Sequence, residues 1–399
     1  MASNILSHVV SDLCIGKPAV RVLPQSTPIA AALATLRAGA DPFVFVDAAA
    51  PSDGKKTATV SVVKVSVAEI LCYVCGDSGN LGDPAAALSR PVSVLTASAG
   101  DHGVTRRVDP QTSLLDAIDV LLANNSHSLV VPLHTRTGRK KHHHVSAAVS
   151  TASGAASHCL LTQQDIVRHL FGSISLFSRV AALTISSLGL IRRDAHAVNV
   201  DDDALDAIPL LRRSIARGTA VAVVADDNAL VGEICPGVLG SCDVESVSAA
   251  FAALSAGDAM TYIDCYFSPP EFLLRSIRAR LTDKGLHAMC DLMDAAYTAD
   301  VATLSSSASS SDEESPLARS GRARRVSSGS FRWRSTEDVA ACHAENSLVA
   351  VMAQALAHRV GHVWVVDEIT GALVGVVSCA DVLAVLRDHL RPERYSDDF

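Results

Sequence analysis

A hydroxyl followed three residues later by a carboxylate stands twice in front of an apolar run: Thr162 and Asp165 ahead of Ile166-Val167, and Ser378 and Asp381 ahead of Val382-Leu383. At the start of a helix this spacing lets the two residues cap each other's backbone N–H groups. The same groups can meet a ligand, because a carboxylate accepts from hydroxyls and the free N–H groups beside it attract anions. Capping alone explains the spacing, so both readings stand. His127 and His362 each stand immediately ahead of or at the start of a β-type run, either as solvated strand ends or as groups that reach an anion. His358 and Arg359 add cations next to the second of them. Two further copies of the pattern are weaker: Ser66 with the longer Glu69, read as structural, and Cys235-Pro236-Gly237-Val238, which has no carboxylate.

Other reactive groups carry less. Cys72 and Cys75 have CxxC spacing, but no second pair completes a zinc site and the flanks are apolar, so buried reduced thiols are expected. His142 to His144 lie in a Lys-rich tract, and no metal is assigned to them. Ser327 and Ser328 follow Arg324-Arg325, and Ser311 precedes Asp312-Glu313-Glu314; these are candidate phosphorylation sites of basophilic and acidophilic kinases. No nucleophile–base constellation, glycine-rich phosphate loop or metal signature stands out. The expectation is a protein that is not an enzyme and needs no cofactor.

The elements that must position these groups repeat four times. The last copy is the clearest: a helical run from Ser347 to Leu356, a strand His362–Asp367, a turn at Gly371, a strand Ala372–Val377, and a helix opened by Ser378 to Asp381. The second copy has a helix from Ser113 to Ala123, strands 128–131 and 158–161, and a helix ending at Phe171. The first has Thr27-Pro28 opening a helix to Arg37, then strands 43–47 and 59–65. The third has a helix 204–216 and strands 220–224 and 230–235, and the fourth opens near Leu254 to Tyr262. Two segments interrupt the pattern, about 134–157 and about 300–334; the latter is Ser- and Arg-rich and is expected to be disordered.

Bulk properties narrow the class. Of 399 residues, 49% are hydrophobic and only 4% aromatic, an Ala/Val/Leu mixture suited to layered α/β packing. A net charge of −8 argues against a general nucleic-acid binder. No apolar stretch approaches the ~20 residues of a membrane span. The N-terminus lacks a signal-like pattern, and the ten cysteines are scattered. Reduced thiols in the cytoplasm, or the nucleus, are expected.

The run Gly375-Val376-Val377-Ser378-Cys379-Ala380-Asp381-Val382-Leu383, with its second copy Leu161-Thr162-Gln163-Gln164-Asp165-Ile166-Val167, resembles the signature of a cystathionine-β-synthase (CBS) repeat. Four such copies resemble the γ subunits of AMP-activated kinases, and more closely the plant proteins made of four CBS repeats alone. The resemblance implies an α/β (α+β) fold in which repeats one and two, and three and four, form two Bateman modules: 1–172, with repeats about 8–75 and 90–172, and 173–392, with repeats about 178–242 and 254–392. It implies small sheets with helices on one face, buried against each other, and a cleft that takes an adenine nucleotide (AMP, ADP or ATP). Thr162, Asp165, Ser378 and Asp381 would meet ribose and phosphate oxygens, with His127, His362 and Arg359 as the basic groups. The function this implies is a non-enzymatic sensor that modulates a partner protein in trans, a protein kinase being one candidate, with a second copy of the chain as another partner. The alternatives are a CBS scaffold that has lost its ligand and an accessory γ-like kinase subunit.

Overall fold

The computed structural model describes residues 8–38, 42–47, 62–98, 104–132, 158–306 and 339–390. Its strands fall into four triplets: β1 Val22–Leu23, β2 Phe43–Asp47, β3 Val62–Ser66; β4 Val104–Arg107, β5 Ser128–Pro132, β6 His158–Thr162; β7 Ala197–Asn199, β8 Val221–Val224, β9 Leu230–Ile234; and β10 Ala341–Cys342, β11 His362–Val366, β12 Leu373–Ser378. In each triplet the first strand pairs parallel with the second, and the second pairs antiparallel with the third. A parallel pair needs a crossover. The crossover helices are Ile29–Ala38, Leu114–Ala123, Ala207–Arg217 and Leu348–His358. Closing helices Val67–Cys75, Gln163–Phe171 and Cys379–Leu390 follow three of the triplets; the third is followed by the single turn Pro236–Leu239.

Local chemistry accounts for these elements. Ser113 and Ser347 cap their crossover helices by accepting the N–H of Asp116 and Ala350. Strands β5 and β8 are buried along their whole length, because one face meets helices and the other meets a second sheet. Gly218 ends the third crossover helix with φ 64°, a left-handed residue that lets the chain turn straight into β8.

The repeats join in pairs through their helix starts. Leu114 N–H donates to the carbonyl of His8 (3.0 Å) and Ile29 N–H to that of Arg90 (2.9 Å), so the first two repeats satisfy each other's orphan helix donors. Leu348 N–H donates to Leu183 (2.9 Å) and Ala204 N–H to Leu254 (3.0 Å), which repeats the exchange between the third and fourth. The sheets meet as well. Phe45, Val62, Val130 and Leu160 form one buried cluster between the first two triplets; Ala222, Val224, Leu230, Trp364 and Val376 belong to another between the last two. One detail departs from two separate sheets facing each other: β3 pairs antiparallel with β4 at Val62↔Thr105 and Val63↔Val104, joining six strands edge to edge. The shared cluster requires this sheet to turn at that seam and close on itself.

Helix layers then unite the pairs. Ile70, Leu71, Ile208, Leu211 and Phe251 share one core, so repeats one and three bury their helices together. Ile118, Ile166, Leu170, Met352 and Leu383 share the other, made by repeats two and four. Each seam carries an ion-pair clamp, Arg37 on Asp243 (3.0 Å) and on Glu245, and Arg387 on both oxygens of Asp119 (2.8 and 2.6 Å). The four repeats therefore close into a ring.

Two expectations change. Helix His287–Ser306 runs into the segment expected to be disordered from about residue 300. Cys14 and Cys159 form a disulfide, whereas reduced thiols were expected; the other eight cysteines form none. The N-terminal strand-like segment crosses β6, with Val20 N–H donating to His158 (2.7 Å), and this brings residues 145 apart to a Cα separation of 6.4 Å. Local spacing carries no sign of such a crossing. Burial accounts for the free thiols at the CxxC positions, pushing the Cys75 thiol up to about 12.

Candidate ligand cleft

At the centre of the ring lies a cleft of about 680 Å³ to which every repeat contributes. Repeat one supplies Phe43, Lys64, Glu69 and Tyr73; repeat two supplies His127 and Ser128. Repeat three supplies Arg212 and Arg213 from the last turns of its crossover helix, and repeat four supplies Arg359 through His362. Lys64, Arg212, Arg213 and Arg359 face one carboxylate in this lining, that of Glu69, which leaves an excess of positive charge. Arg212 donates to the carbonyl of Cys72 (3.0 Å), and Lys64 lies 5.3 Å from the Phe43 ring centre. Arg213 and Arg359 make no ion pair with the described residues, although each faces the cleft. Arg359 has left-handed backbone, φ 58°, as the C-cap of its helix, which aims it away from the helix line.

His127 projects between repeats. Its Nε2–H donates to the carbonyl of Ala216 (2.7 Å) at the end of the third crossover helix. Burial holds its pKa below the ordinary imidazole value, the Ala216 carbonyl opposes that, and the nearby Lys64 and Arg192 cations reinforce it. The ring is thus neutral near pH 7.

His362 also borders the cleft, yet its ring is committed elsewhere. It is 2% exposed, and its Nε2–H donates to Glu233 Oε2 (2.8 Å), which also accepts from the Trp364 indole N–H (2.8 Å). The strand register explains why the two histidines differ. His362 pairs with Ser378 across β11 and β12, whereas the residue paired with Thr162 is Ser128, so His127 stands one position earlier than its supposed counterpart. Alternate strand positions face opposite sides, so a one-residue offset sends the rings into different surroundings.

The two hydroxyl–carboxylate pairs are capping boxes. Asp165 accepts from the Thr162 N–H (2.8 Å) and hydroxyl (2.6 Å), and Asp381 accepts from the Ser378 N–H (2.8 Å) and hydroxyl (2.6 Å). Both carboxylates lie outside the lining of the central cleft. Asp165 also holds Lys17, whose ammonium donates to the Leu160 carbonyl too (2.9 Å). Burial would raise the Asp165 pKa, but the hydrogen bonds from Lys17 and Thr162 hold it below the usual carboxylate range. Ser66 and Glu69, the pair read as structural, form the same box, and it is this pair that faces the cleft.

Ser311, Ser327 and Ser328 lie outside the described residues. Sequence reasoning missed Lys17, Lys64, Arg212, Arg213 and Glu233. Arg212-Arg213 carried a usable signal, two adjacent cations in the last turns of a crossover helix whose counterpart in repeat four ends in His358-Arg359; Glu233 carried none. Among the described residues, no three His, Cys, Asp or Glu side chains cluster as a metal site, and no helix is long and apolar enough to cross a membrane.

Comparison with known proteins agrees with this architecture. The CBS domain model matches residues 333–388, the fourth repeat. The chain is 37% identical to the CBS domain-containing protein CBSX5 of Arabidopsis thaliana, over 98% of this chain and 99% of that protein. It is 22% identical to the SNF1-related protein kinase regulatory subunit gamma-like PV42b of the same plant, over 97% of each. Among solved structures, protein MJ1225 of Methanocaldococcus jannaschii aligns over 95% of this chain and 100% of its own, with a TM-score of 0.51 and 15% identity, a likeness of fold alone. With four copies of one strand–helix unit and an end-to-end relative at 37% identity, the chain belongs to the family of CBS domain-containing proteins.

Proposed function

We propose that this chain is a regulatory protein without catalytic activity of its own, which takes an adenine nucleotide into the central cleft and passes the occupancy of that cleft to a partner protein. The observation that carries this reading is that one cleft is lined by all four repeats and holds Lys64, Arg212, Arg213 and Arg359 against the single carboxylate of Glu69. Phosphate is the common biological anion that this many cations match. The aromatic walls Phe43 and Tyr73 offer faces on which a base can stack. Because the ligand would touch four repeats at once, binding would bias their relative orientation, and a partner docked on the ring would respond to that bias. Glu69, rather than Asp165 or Asp381, is the carboxylate placed to accept from ribose hydroxyls in this cleft.

The similarity to a kinase regulatory subunit gamma-like protein favours a protein kinase as that partner. Co-purification with a kinase catalytic subunit supports this, and its consistent absence removes it. Calorimetric titration with AMP, ADP, ATP and S-adenosylmethionine tests the ligand. Arg359→Ala is expected to weaken nucleotide binding at least about tenfold, since a charge-assisted hydrogen bond contributes ~1.5–3 kcal/mol. Asp165→Ala and Asp381→Ala are expected to matter less than Glu69→Ala. No heat with any nucleotide leaves the ring as a scaffold without a ligand.

A further inference from the structure

The N-terminal segment lies across the second repeat, and the Cys14–Cys159 disulfide clips it there. We infer that this pair is a reversible thiol–disulfide site: a dithiol reductant opens it, and the opening undocks residues 8–17 from the second repeat. The inference needs no ligand in the central cleft.

Apart from the disulfide, the segment is held by a few local contacts. Leu114 N–H donates to the His8 carbonyl, Val10 N–H to that of Thr112 and Ser11 N–H to that of Pro110, each at 3.0 Å, and Lys17 pairs with Asp165. Its helix, Val10–Leu13, is a single turn. Docking also has a cost. The His8 and His169 rings lie with centroids 4.9 Å apart, and His8 Nδ1 and His169 Nε2 are buried without a hydrogen-bond partner. Undocking returns both nitrogens to water, which offsets part of what the broken contacts contribute. A short terminal segment with so few bonds belongs to the low end of local stability, so a covalent bond across its seam can decide whether it stays docked.

The other thiols are poorly suited to this chemistry. Burial pushes those of Cys72, Cys75, Cys242, Cys342 and Cys379 up, which leaves them little thiolate character. Cys14, by contrast, ends a single helical turn just ahead of Ile15, 82% exposed, and Gly16, which turns the chain with φ 80°. Attack on Cys14 needs only that turn to lift, whereas Cys159 lies inside β6 at 0% exposure. A thiolate of the reductant bonds to the Cys14 sulfur, the Cys14–Cys159 bond breaks, and Cys159 leaves as a thiolate that takes up a proton. The reductant's second thiol then displaces Cys14 and closes the reductant into its own disulfide. Two electrons pass to the pair, and the reductant's two thiol protons end on the two cysteines.

Release removes Val10 and Cys14 from the core that repeats two and four share, and takes Lys17 off Asp165 at the start of helix Gln163–Phe171. Gln164 in the same helical turn donates to the Val360 carbonyl of the fourth repeat (3.2 Å), so the seam between these repeats loosens with the clip.

The test compares the full chain when oxidised and after dithiothreitol without denaturant, by alkylation and by hydrogen exchange, both followed by mass spectrometry. Alkylation is expected to find Cys14 and Cys159 newly reactive after reduction. Exchange in peptides covering 8–17 and 110–114 should speed up at least about tenfold, and reoxidation should restore it. Unchanged exchange in strands β7 to β9 would exclude global unfolding as the cause. Cys14→Ser should exchange like the reduced parent with or without reductant; should that variant fail to fold, the two states of the parent decide by themselves. Absence of the bond from oxidised protein, or reduction that proceeds only in denaturant, overturns the reversible site. Reduction that leaves exchange in both segments unchanged overturns the undocking, and a Cys14→Ser variant that still responds to reductant overturns the assignment to this pair.

Discussion

The two sheet-to-sheet interfaces solve the same packing problem with different chemistry. Between repeats one and two, Phe45, Val62, Val130 and Leu160 meet as an apolar cluster, helped by the β3–β4 pairing. Between repeats three and four, a comparable apolar cluster surrounds Glu233, 7% exposed, whose carboxylate receives the His362 ring and the Trp364 indole. An apolar interface tolerates small shifts, because its attraction is non-directional. A buried carboxylate is satisfied in one arrangement only, and leaving its partners unpaired is expensive. The second pair should therefore hold one orientation while the first retains freedom to adjust, and His362 links the fixed arrangement to the cleft it borders.

Removing Glu233 is the strongest way to break this contrast. Glu233→Ala strands two buried donors, each worth about 1–3 kcal/mol, and is expected to cost ~3–5 kcal/mol in urea unfolding followed by tryptophan fluorescence. Glu233→Gln, which keeps an acceptor, should cost clearly less; equal costs would mean that the carboxylate is not what locks the pair. At the apolar interface, Leu160→Ala is expected to cost about 2–3 kcal/mol by lost burial and cavity formation, and Leu160→Met, close in volume, less than about 1.5 kcal/mol. A Met substitution as costly as Ala would show that the first interface is also sharply specified.

The smallest effect concerns pH and His127. Its folded pKa lies below the ordinary value because of burial, opposed by Ala216 and reinforced by Lys64 and Arg192. The unfolded chain therefore takes up the proton first as pH falls through about 6.5, so stability is lost from there down to the folded pKa. His127→Gln should flatten the fall in unfolding midpoint between about pH 7 and 5.5 relative to the parent. An unchanged pH profile in the variant removes His127 from this role.

Much of the fold was legible in particular residues. Ser113 and Ser347 cap the helices that their spacing announced, and β2 occupies 43–47 as its β-branched and aromatic run suggested. Of the two readings left open for Thr162–Asp165 and Ser378–Asp381, the capping one matches the hydrogen bonds the pairs make, because a cap is made within four residues of chain. The cleft was only partly legible. Arg359 and His127 reach it, but His362 is spent on Glu233, 129 residues away, and Asp165 is taken by Lys17, 148 residues away. Glu69 gained a place in the lining only because repeat three closes over repeat one.

The sequence by itself determined the unit, its fourfold copying, its caps and its turns, since these follow from hydrophobic periodicity and hydrogen bonds that close over a few residues. Tertiary structure alone decided which copies share a core, which face of each strand start meets the cleft, and which charges are already paired there. Those outcomes depend on contacts between residues more than a hundred positions apart, and on a one-residue register that reverses the face a side chain presents.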